Sequence, residues 1–115
     1  MAKDPPSKYW KRFERRIARS LGVERTPLSG GASRHTRSDT LHPKLYIEAK
    51  CRKRHSIFSW WRATLGNAKI ERKTPILALH EHSHVGALAV MEWKYFVHLY
   101  EADLELQQLR KEMQT

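Results

Sequence analysis

The chain has 115 residues, with 22 Lys plus Arg against 12 Asp plus Glu, and a formal net charge of +10 when its 7 His are neutral. This length supports one domain, and a hydrophobic content of 40% argues against wholesale disorder. The single cysteine, Cys51, excludes an internal disulfide framework and a multi-cysteine zinc cage. Because no apolar stretch approaches the roughly 20 residues that span a bilayer, and no signal-peptide pattern begins the sequence, we expect a soluble cytoplasmic protein without a membrane partner.

The positive charge is concentrated in the first part of the chain. Residues 1–73 carry 19 Lys/Arg and 6 Asp/Glu, a net +13, whereas residues 74–115 carry 3 and 6, a net −3. A surface of that sign concentrates polyanions, and nucleic acid is the commonest intracellular polyanion. The charge alone is also compatible with a merely soluble cationic surface, ribosome association or an acidic protein partner.

The first predicted element is a basic amphipathic helix over residues 8–21, after a polar lead of residues 1–7. Its apolar residues recur at helical spacing, and Gly22 is a natural C-terminal stop. Glu14, its only acid, lies at the edge of the buried stripe. The apolar residues are Trp10, Phe13, Ile17 and Leu21, and the basic ones are Lys11, Arg12, Arg15, Arg16 and Arg19.

Strands and one further helix are predicted in the middle of the chain. Near-continuous apolar runs in the last two strands favour coverage on both faces, and a short turn around Ser83 joins them. In chain order we predict a strand over 23–28, a loop over 29–33, a strand over 45–49, an amphipathic helix over 57–68 and strands over 75–81 and 86–93.

The final segment has apolar residues at a 3-4-3-4 spacing, which predicts a C-terminal helix with a coiled-coil-like seam. Two heptads are too few for a coiled coil, so we favour docking on the domain's own sheet over a dimer contact. The chain then divides into a lead over 1–7, a central domain over 8–95, and a C-terminal helix over 96–115 at the core or at a dimer contact. The seam residues are Leu99, Ala102, Leu106, Leu109 and Met113.

The most informative pattern is Asp39 followed, nine positions later, by Glu48-Ala49-Lys50 at the end of a predicted strand. Residues two apart on a strand share a face, so Glu48 and Lys50 lie side by side. If residues 40–44 form a turn, Asp39 returns to the same place. Oxygen ligands of this kind suit Mg²⁺ or Mn²⁺, which also bind phosphate oxygens. A surface Glu-Lys pair is equally ordinary in a chain with 30% charged residues.

In the order and spacing of these features, the chain resembles the PD-(D/E)xK nuclease superfamily, and within it the small archaeal-type and phage Holliday junction resolvases. The resemblance covers roughly residues 8–93. It rests on a basic first helix with one glutamate (Glu14), the loop Ser29-Gly30-Gly31, Asp39 opening a hairpin, the strand end Ile47-Glu48-Ala49-Lys50, and a later helix followed by two apolar strands.

The resemblance implies a restriction-endonuclease-like α/β fold, in which a small mixed central sheet is flanked by helices in a single nuclease domain. It implies that Asp39 and Glu48 bind Mg²⁺ or Mn²⁺, that Lys50 assists the attacking water, and that Glu14 completes the acidic metal site. The implied activity is structure-selective cleavage of DNA four-way junctions during recombination and repair. Because two strands are cut, a two-fold homodimer is implied.

Further residues are candidates for DNA contact. Small loop residues allow a phosphate to approach backbone N–H groups, and basic side chains neutralise phosphates. A flexible connection and a solvated basic face are the alternative explanations. The candidates are Ser29, Gly30, Gly31, Arg34, Arg37, Arg52, Lys53, Arg54, Lys11 and Arg15.

Rival functions stay open at this point. The chain could be another PD-(D/E)xK DNA nuclease of repair, flap or restriction-like type, a non-catalytic basic nucleic-acid-binding module, or a basic ribosome-associated protein. A rival transition-metal site could combine Cys51 and His55 with three alternating histidines. Because a turn near Ser83 interrupts that alternation, we expect these histidines to face solvent or DNA instead. They are His80, His82 and His84.

Overall fold

The structure, a computed structural model, describes residues 7–27, 36–52 and 54–114, and in them it contains three helices and three strands. The protein is a small single-domain α/β fold with one mixed sheet. In chain order the elements are α1 (Ser7–Ser20), β1 (Leu45–Arg52), α2 (Ile57–Glu71), β2 (Thr74–Glu81), β3 (Leu88–Val90) and α3 (Trp93–Met113).

The sheet has the order β1-β2-β3, with β2 in the middle. β1 and β2 are parallel, with Leu45 opposite Thr74, and α2 forms the crossover that a parallel pair requires. β2 and β3 are antiparallel, with Leu77 opposite Val90, and Ser83 lies in the turn between them with a φ of 71°. The predicted strand pair and its turn are therefore confirmed, and the apolar run of β2 is largely buried, as predicted.

The helices α1 and α2 pack on the sheet, and strand alternation determines which side chains each one meets. Phe13 of α1 packs with Cys51 of β1 and Ala78 of β2 in the buried core. On the other face of β1, the Lys50 ammonium lies 5.5 Å from the ring centre of Trp60 in α2. Glu48 and Lys50 therefore share the α2 side of the sheet, because they are two residues apart on one strand.

Two predicted strands differ from the structure. Within 23–27 no strand forms; Arg25 makes an isolated bridge to Thr40, and Pro27 has no N–H to extend a ladder. The strand predicted over 86–93 is confined to Leu88–Val90, where it pairs with β2, and Leu88 is 72% exposed. Coverage on both faces is therefore wrong for β3, because Leu88 and Ala89, whose side chains point to opposite faces, are both exposed.

The C-terminal helix begins earlier than the sequence predicts. α3 starts at Trp93, after Glu92 in extended backbone conformation, and runs for 21 residues. None of its residues is buried, so α3 adds no side chain to the core of the chain. No helix in the described residues is both long enough and apolar enough to cross a membrane.

The edge of β1 that faces away from β2 is covered by the segment that precedes β1 in the chain. The Ser38 hydroxyl accepts a hydrogen bond from the Ile47 N–H at 2.8 Å and donates one to the Ile47 carbonyl at 3.2 Å. The Asp39 N–H donates to the same carbonyl at 2.8 Å. On the far side of the segment, the Thr26 N–H donates to the Asp39 carbonyl at 3.0 Å. Residues 38–39 are therefore fixed between β1 and the 24–26 segment.

We expect Ser38→Ala to destabilise the protein by about 1–3 kcal/mol, because the buried Ile47 N–H loses its acceptor. The measurement is the free energy of unfolding in urea. Ser59→Ala, at an exposed position of α2, is the matched control and should change stability by less than about 0.5 kcal/mol. Equal stability of the two variants would contradict the role given to Ser38.

Candidate active site

Asp39 is held against the edge of β1 by its backbone and by its carboxylate. Oδ2 accepts a hydrogen bond from the Ala49 N–H at 2.8 Å, and the residue is only 6% exposed. The turn over residues 41–44 brings the chain back into β1, with the His42 Nδ1 accepting from the Leu45 N–H at 2.9 Å. The structure therefore places Asp39 beside Ala49, the middle residue of the Glu48-Ala49-Lys50 sequence.

Glu48 and Lys50 form an ion pair on the same face of β1. The Lys50 Nζ lies 3.2 Å from the Glu48 Oε1, and each side chain is 23% exposed. The strand alternation that predicts a carboxylate beside an ammonium is confirmed. Both groups remain within reach of solvent, whereas Asp39 behind them is buried.

Glu14 projects from α1 and is buried against a partner that the sequence pattern does not reveal. Its Oε2 lies 2.9 Å from the Arg25 Nε. The basic residues of α1 itself, Lys11 and Arg15 among them, are exposed. The salt-bridge partner of Glu14 therefore comes from the segment after the helix, 11 positions along the chain.

The three carboxylates act on one another electrostatically. Burial raises the pKa of Asp39 to about 8, and the charges of Glu48 and Glu14 add to this rise, while the Ala49 N–H and Lys50 oppose it. Burial also raises the pKa of Glu14 against the opposing charge of Arg25, with Glu48 again contributing to the rise. Carboxyl groups in this situation favour a proton or a cation between them.

This donor set fits Mg²⁺ or Mn²⁺ by its chemistry. Such ions take carboxylate oxygens and keep several waters, and a cation beside Asp39 would relieve the repulsion that raises its pKa. Glu14 is turned to Arg25 and Glu48 to Lys50. Among the described residues, no group of three or more His, Cys, Asp or Glu side chains is gathered as a metal site.

Two residues around the acids were missed by sequence reasoning. Tyr46 is buried on the same face as Glu48, and its pKa is raised by burial and by the charges of Glu48 and Glu71. Glu71, at the end of α2, accepts hydrogen bonds from the Thr36 hydroxyl and, at 3.0 Å, from the Arg37 N–H. Although partial burial opposes it, these bonds hold the pKa of Glu71 below its usual value. Glu71 thereby anchors the segment that carries Asp39.

The DNA-contact candidates fall into two groups. Five lie outside the described residues: Ser29, Gly30, Gly31, Arg34 and Lys53. The other five are described. Arg52 is half-buried, with its guanidinium carbon 4.6 Å from the ring centre of Trp10, and the other four are exposed: Lys11, Arg15, Arg37 and Arg54.

No protein family, curated protein or solved structure matches this chain. The functional interpretation therefore rests on the arrangement of Asp39, Glu48, Lys50 and Glu14. In that arrangement a buried carboxylate, a solvent-accessible carboxylate and a lysine lie at one edge of a sheet, next to an exposed basic helix.

The raised pKa of Asp39 makes the stability of the metal-free protein depend on pH. The folded state keeps the Asp39 proton up to about pH 8, whereas the unfolded chain loses it near the ordinary value of 3.8. Folding therefore favours proton uptake between these values, and this contribution to the free energy of unfolding is lost as the pH rises through about 8. We expect Asp39→Asn, which keeps an oxygen for the Ala49 N–H, to match the wild type near pH 4 and to be more stable near pH 8.

Urea unfolding in a chelator across this pH range measures the difference between wild type and Asp39→Asn. Glu24→Gln, which removes an exposed acid next to Arg25, is the control and should give a difference that changes little with pH. A difference for Asp39→Asn that is constant from about pH 4 to 8 would show that its carboxyl is not held protonated by the fold.

Proposed function

We propose that this protein is a divalent-metal-dependent DNA endonuclease with a restriction-endonuclease-like core, acting on branched DNA such as four-way junctions as a homodimer. The observation that supports this most directly is the buried Asp39 carboxylate held on the edge of β1 beside the Glu48–Lys50 pair. An ordinary Glu–Lys ion pair on the surface does not require a buried carboxyl group next to it, so the burial of Asp39 calls for a further explanation. A carboxyl whose pKa is raised by burial and by neighbouring charges is also a candidate functional group.

Asp39 and Glu48 would hold the metal, with Glu14 completing the acidic shell after exchanging its contact with Arg25. When bound, Mg²⁺ or Mn²⁺ supplies positive charge to a phosphate oxygen and lowers the pKa of a bound water. Asp39 would bind the cation in its deprotonated form, with the Ala49 N–H keeping one of its carboxylate oxygens oriented.

Lys50 acts as a hydrogen-bond donor in the proposed reaction. Its ammonium contacts both the Glu48 carboxylate and the Trp60 ring, and the side chain remains partly exposed. Three N–H donors allow it to orient the attacking water and to stabilise negative charge that develops on the phosphate. The exposed basic residues of α1 bring the DNA backbone to the same edge.

We expect Glu48→Gln and Lys50→Met to lower the rate of Mg²⁺-dependent cleavage by about 10² or more, the usual loss when a charged group acting on the reacting centre is removed. Binding to DNA should change little. The measurement uses labelled four-way junction, flap, duplex and single-stranded DNA, with and without Mg²⁺. Glu24→Gln and Lys44→Met, which alter exposed groups outside the site, are the matched controls.

Paired symmetric nicks at the junction support a resolvase, and preference for another substrate supports a different nuclease of the same chemistry. Equal binding of all four DNAs with no cleavage in any metal would contradict the enzyme and favour a binding module. Preferential binding of RNA, indifferent to divalent metal, would favour the ribosome-associated alternative.

We assign the homodimer contact to α3, because its apolar seam is exposed in the described chain. The seam residues Leu106 and Leu109 are 45% and 50% exposed. In heptad terms the flanking positions are Glu105 on one side and Arg110 on the other, so in a parallel pair Glu105 faces Arg110 of the second copy. An antiparallel pair that brings Glu105 towards Glu112 also brings Asp103 towards Arg110, so it has one repulsive and one attractive contact type. Because the parallel pair has no like-charge contact at these positions, charge complementarity favours a parallel, two-fold α3 pair.

We expect Glu105→Lys to weaken self-association about tenfold, because two attractive flanking pairs become repulsive and about 1.4 kcal/mol corresponds to a factor of ten. The double variant Glu105→Lys/Arg110→Glu restores opposite charges and should recover dimerisation. Sedimentation equilibrium over a concentration series measures both. Equal association of the single and double variants, or a wild-type monomer at all concentrations, would contradict the α3 pair without affecting the cleavage chemistry.

A further inference from the structure

A second candidate site lies away from the acids, in a cavity of about 450 Å³ between α1 and the turn that joins β2 to β3. Its floor includes Phe13 and Cys51. Two arginines, three histidines and a serine line it, and no carboxylate from the described residues does. These side chains define the arginine–histidine pocket: Arg12, Arg16, His80, His82, Ser83 and His84.

The two arginines of this pocket are held in place by aromatic rings. The guanidinium carbon of Arg12 lies 5.8 Å from the ring centre of Tyr9, and that of Arg16 lies 5.3 Å from the ring centre of Phe13. Neither arginine forms an ion pair with a described residue. Their N–H groups therefore retain the capacity to bind an anion, and the stacking limits the side-chain freedom lost on binding.

The imidazole rings are oriented as well. His80 Nδ1 lies 2.8 Å from the Gly86 carbonyl, and His84 Nδ1 lies 2.7 Å from the Glu81 carboxylate. The His82 ring meets the Tyr9 ring edge-on at 5.4 Å between centres. Because Nδ1 of His80 and of His84 faces an acceptor, the Nε2 of each ring donates to an anion only when the ring is protonated. The pocket's strongest anion-binding groups are therefore the two guanidinium forks, which match the tetrahedral oxygens of a phosphate.

We propose that the arginine–histidine pocket binds a backbone phosphate of the DNA strand that reaches the candidate active site. The identity of the polyanion rests on the proposed function. The pocket's own chemistry, two guanidinium groups without an ion pair to a described residue, does not depend on cleavage.

Helix geometry relates this pocket to the acids. At about 100° per residue, Arg12 and Arg16 lie roughly 40° apart, and Glu14 lies roughly 180° from their midpoint. The pocket and Glu14 are therefore on opposite flanks of α1. The exposed face between them carries Lys11 and Arg15, so a strand bound at both flanks crosses a continuous basic surface.

The first test measures binding of a fluorescein-labelled duplex by anisotropy, without divalent metal, over a series of salt concentrations. We expect Arg12→Gln/Arg16→Gln to weaken binding about ten- to a hundredfold, the loss of hydrogen bonds to a charged group. The slope of log K against log salt should fall by about 0.9, the value for one phosphate contact. Arg62→Gln/Lys69→Gln removes the same charge from exposed positions of α2 and should change affinity by less than about twofold.

The second test follows the imidazole NMR signals of the three pocket histidines on adding inorganic phosphate or the same duplex. Shifts with both ligands in the wild type, weaker in Arg12→Lys/Arg16→Lys and absent in the glutamine variant, support the pocket. Shifts with phosphate but not with the duplex would indicate a small-anion site and contradict the DNA contact. Absence of shifts with either ligand would overturn the proposal. Thermal unfolding of each variant shows whether it is folded.

Cleavage assays separate this inference from the nuclease proposal. If both hold, the glutamine variant should keep kcat at saturating DNA and raise KM, because the arginines do not touch the reacting phosphate. If the wild type cleaves no DNA, the binding and NMR tests still decide the pocket. A fall in kcat with unchanged KM would instead contradict a remote phosphate contact.

Discussion

The arrangement of this protein depends on one backbone interaction, the pairing of residues 38–39 with the free edge of β1. An unpaired strand edge leaves N–H and carbonyl groups that must be satisfied by water or by another segment. Here the Ser38 hydroxyl and the Asp39 N–H satisfy Ile47, and the Asp39 carboxylate satisfies the Ala49 N–H. The same contact that completes the sheet edge therefore also fixes a carboxylate beside Glu48.

This solution is unfavourable for the stability of the metal-free fold. A carboxylate used as an edge acceptor becomes buried, and Asp39 lies within the electrostatic influence of Glu48 and Glu14. Arg25 and Lys50 offset part of the repulsion through ion pairs with Glu14 and Glu48. The pKa of Asp39 nevertheless stays raised, mainly because the carboxyl is buried. A neutral edge residue such as asparagine would satisfy Ala49 without this disadvantage, so the carboxyl is better explained by a function than by the fold.

Local patterns predict the elements that carry the site, but not the contacts that bring them together. Alternation along β1 is sufficient to place Glu48 beside Lys50, and helical spacing is sufficient to separate the basic face of α1 from its apolar stripe. The residues that orient the acids come from distant positions. Arg25 is 11 positions from Glu14, and Thr36 is 35 positions from Glu71. Neither separation matches the periodicity of a helix or a strand, so a sequence pattern does not reveal these contacts.

The two strand predictions that differ from the structure also depend on distant contacts, because a strand forms only where another strand pairs with it. Residues 23–27 have strand-like composition, yet they meet the 38–41 segment at only one bridge, Arg25 to Thr40. The apolar residues after Gly86 pair with β2 for only three positions before α3 begins. Apolar composition in these segments therefore indicates which side chains can be buried, but it does not determine which surface they pack against.

The two flanks of α1 carry side chains of opposite charge, a glutamate on one and arginines on the other. Its buried stripe holds the helix on β1, so the register that seats Phe13 also fixes the directions of Glu14 and Arg12. Glu14 faces the acidic edge, where Arg25 neutralises it, and Arg12 faces a cavity without carboxylates. Rotating α1 by one residue, about 100°, would place either Arg12 or Glu14 at the core position of Phe13. Core packing therefore maintains the separation between the flank that carries Glu14 and the flank that carries Arg12 and Arg16, and the basic face joins them.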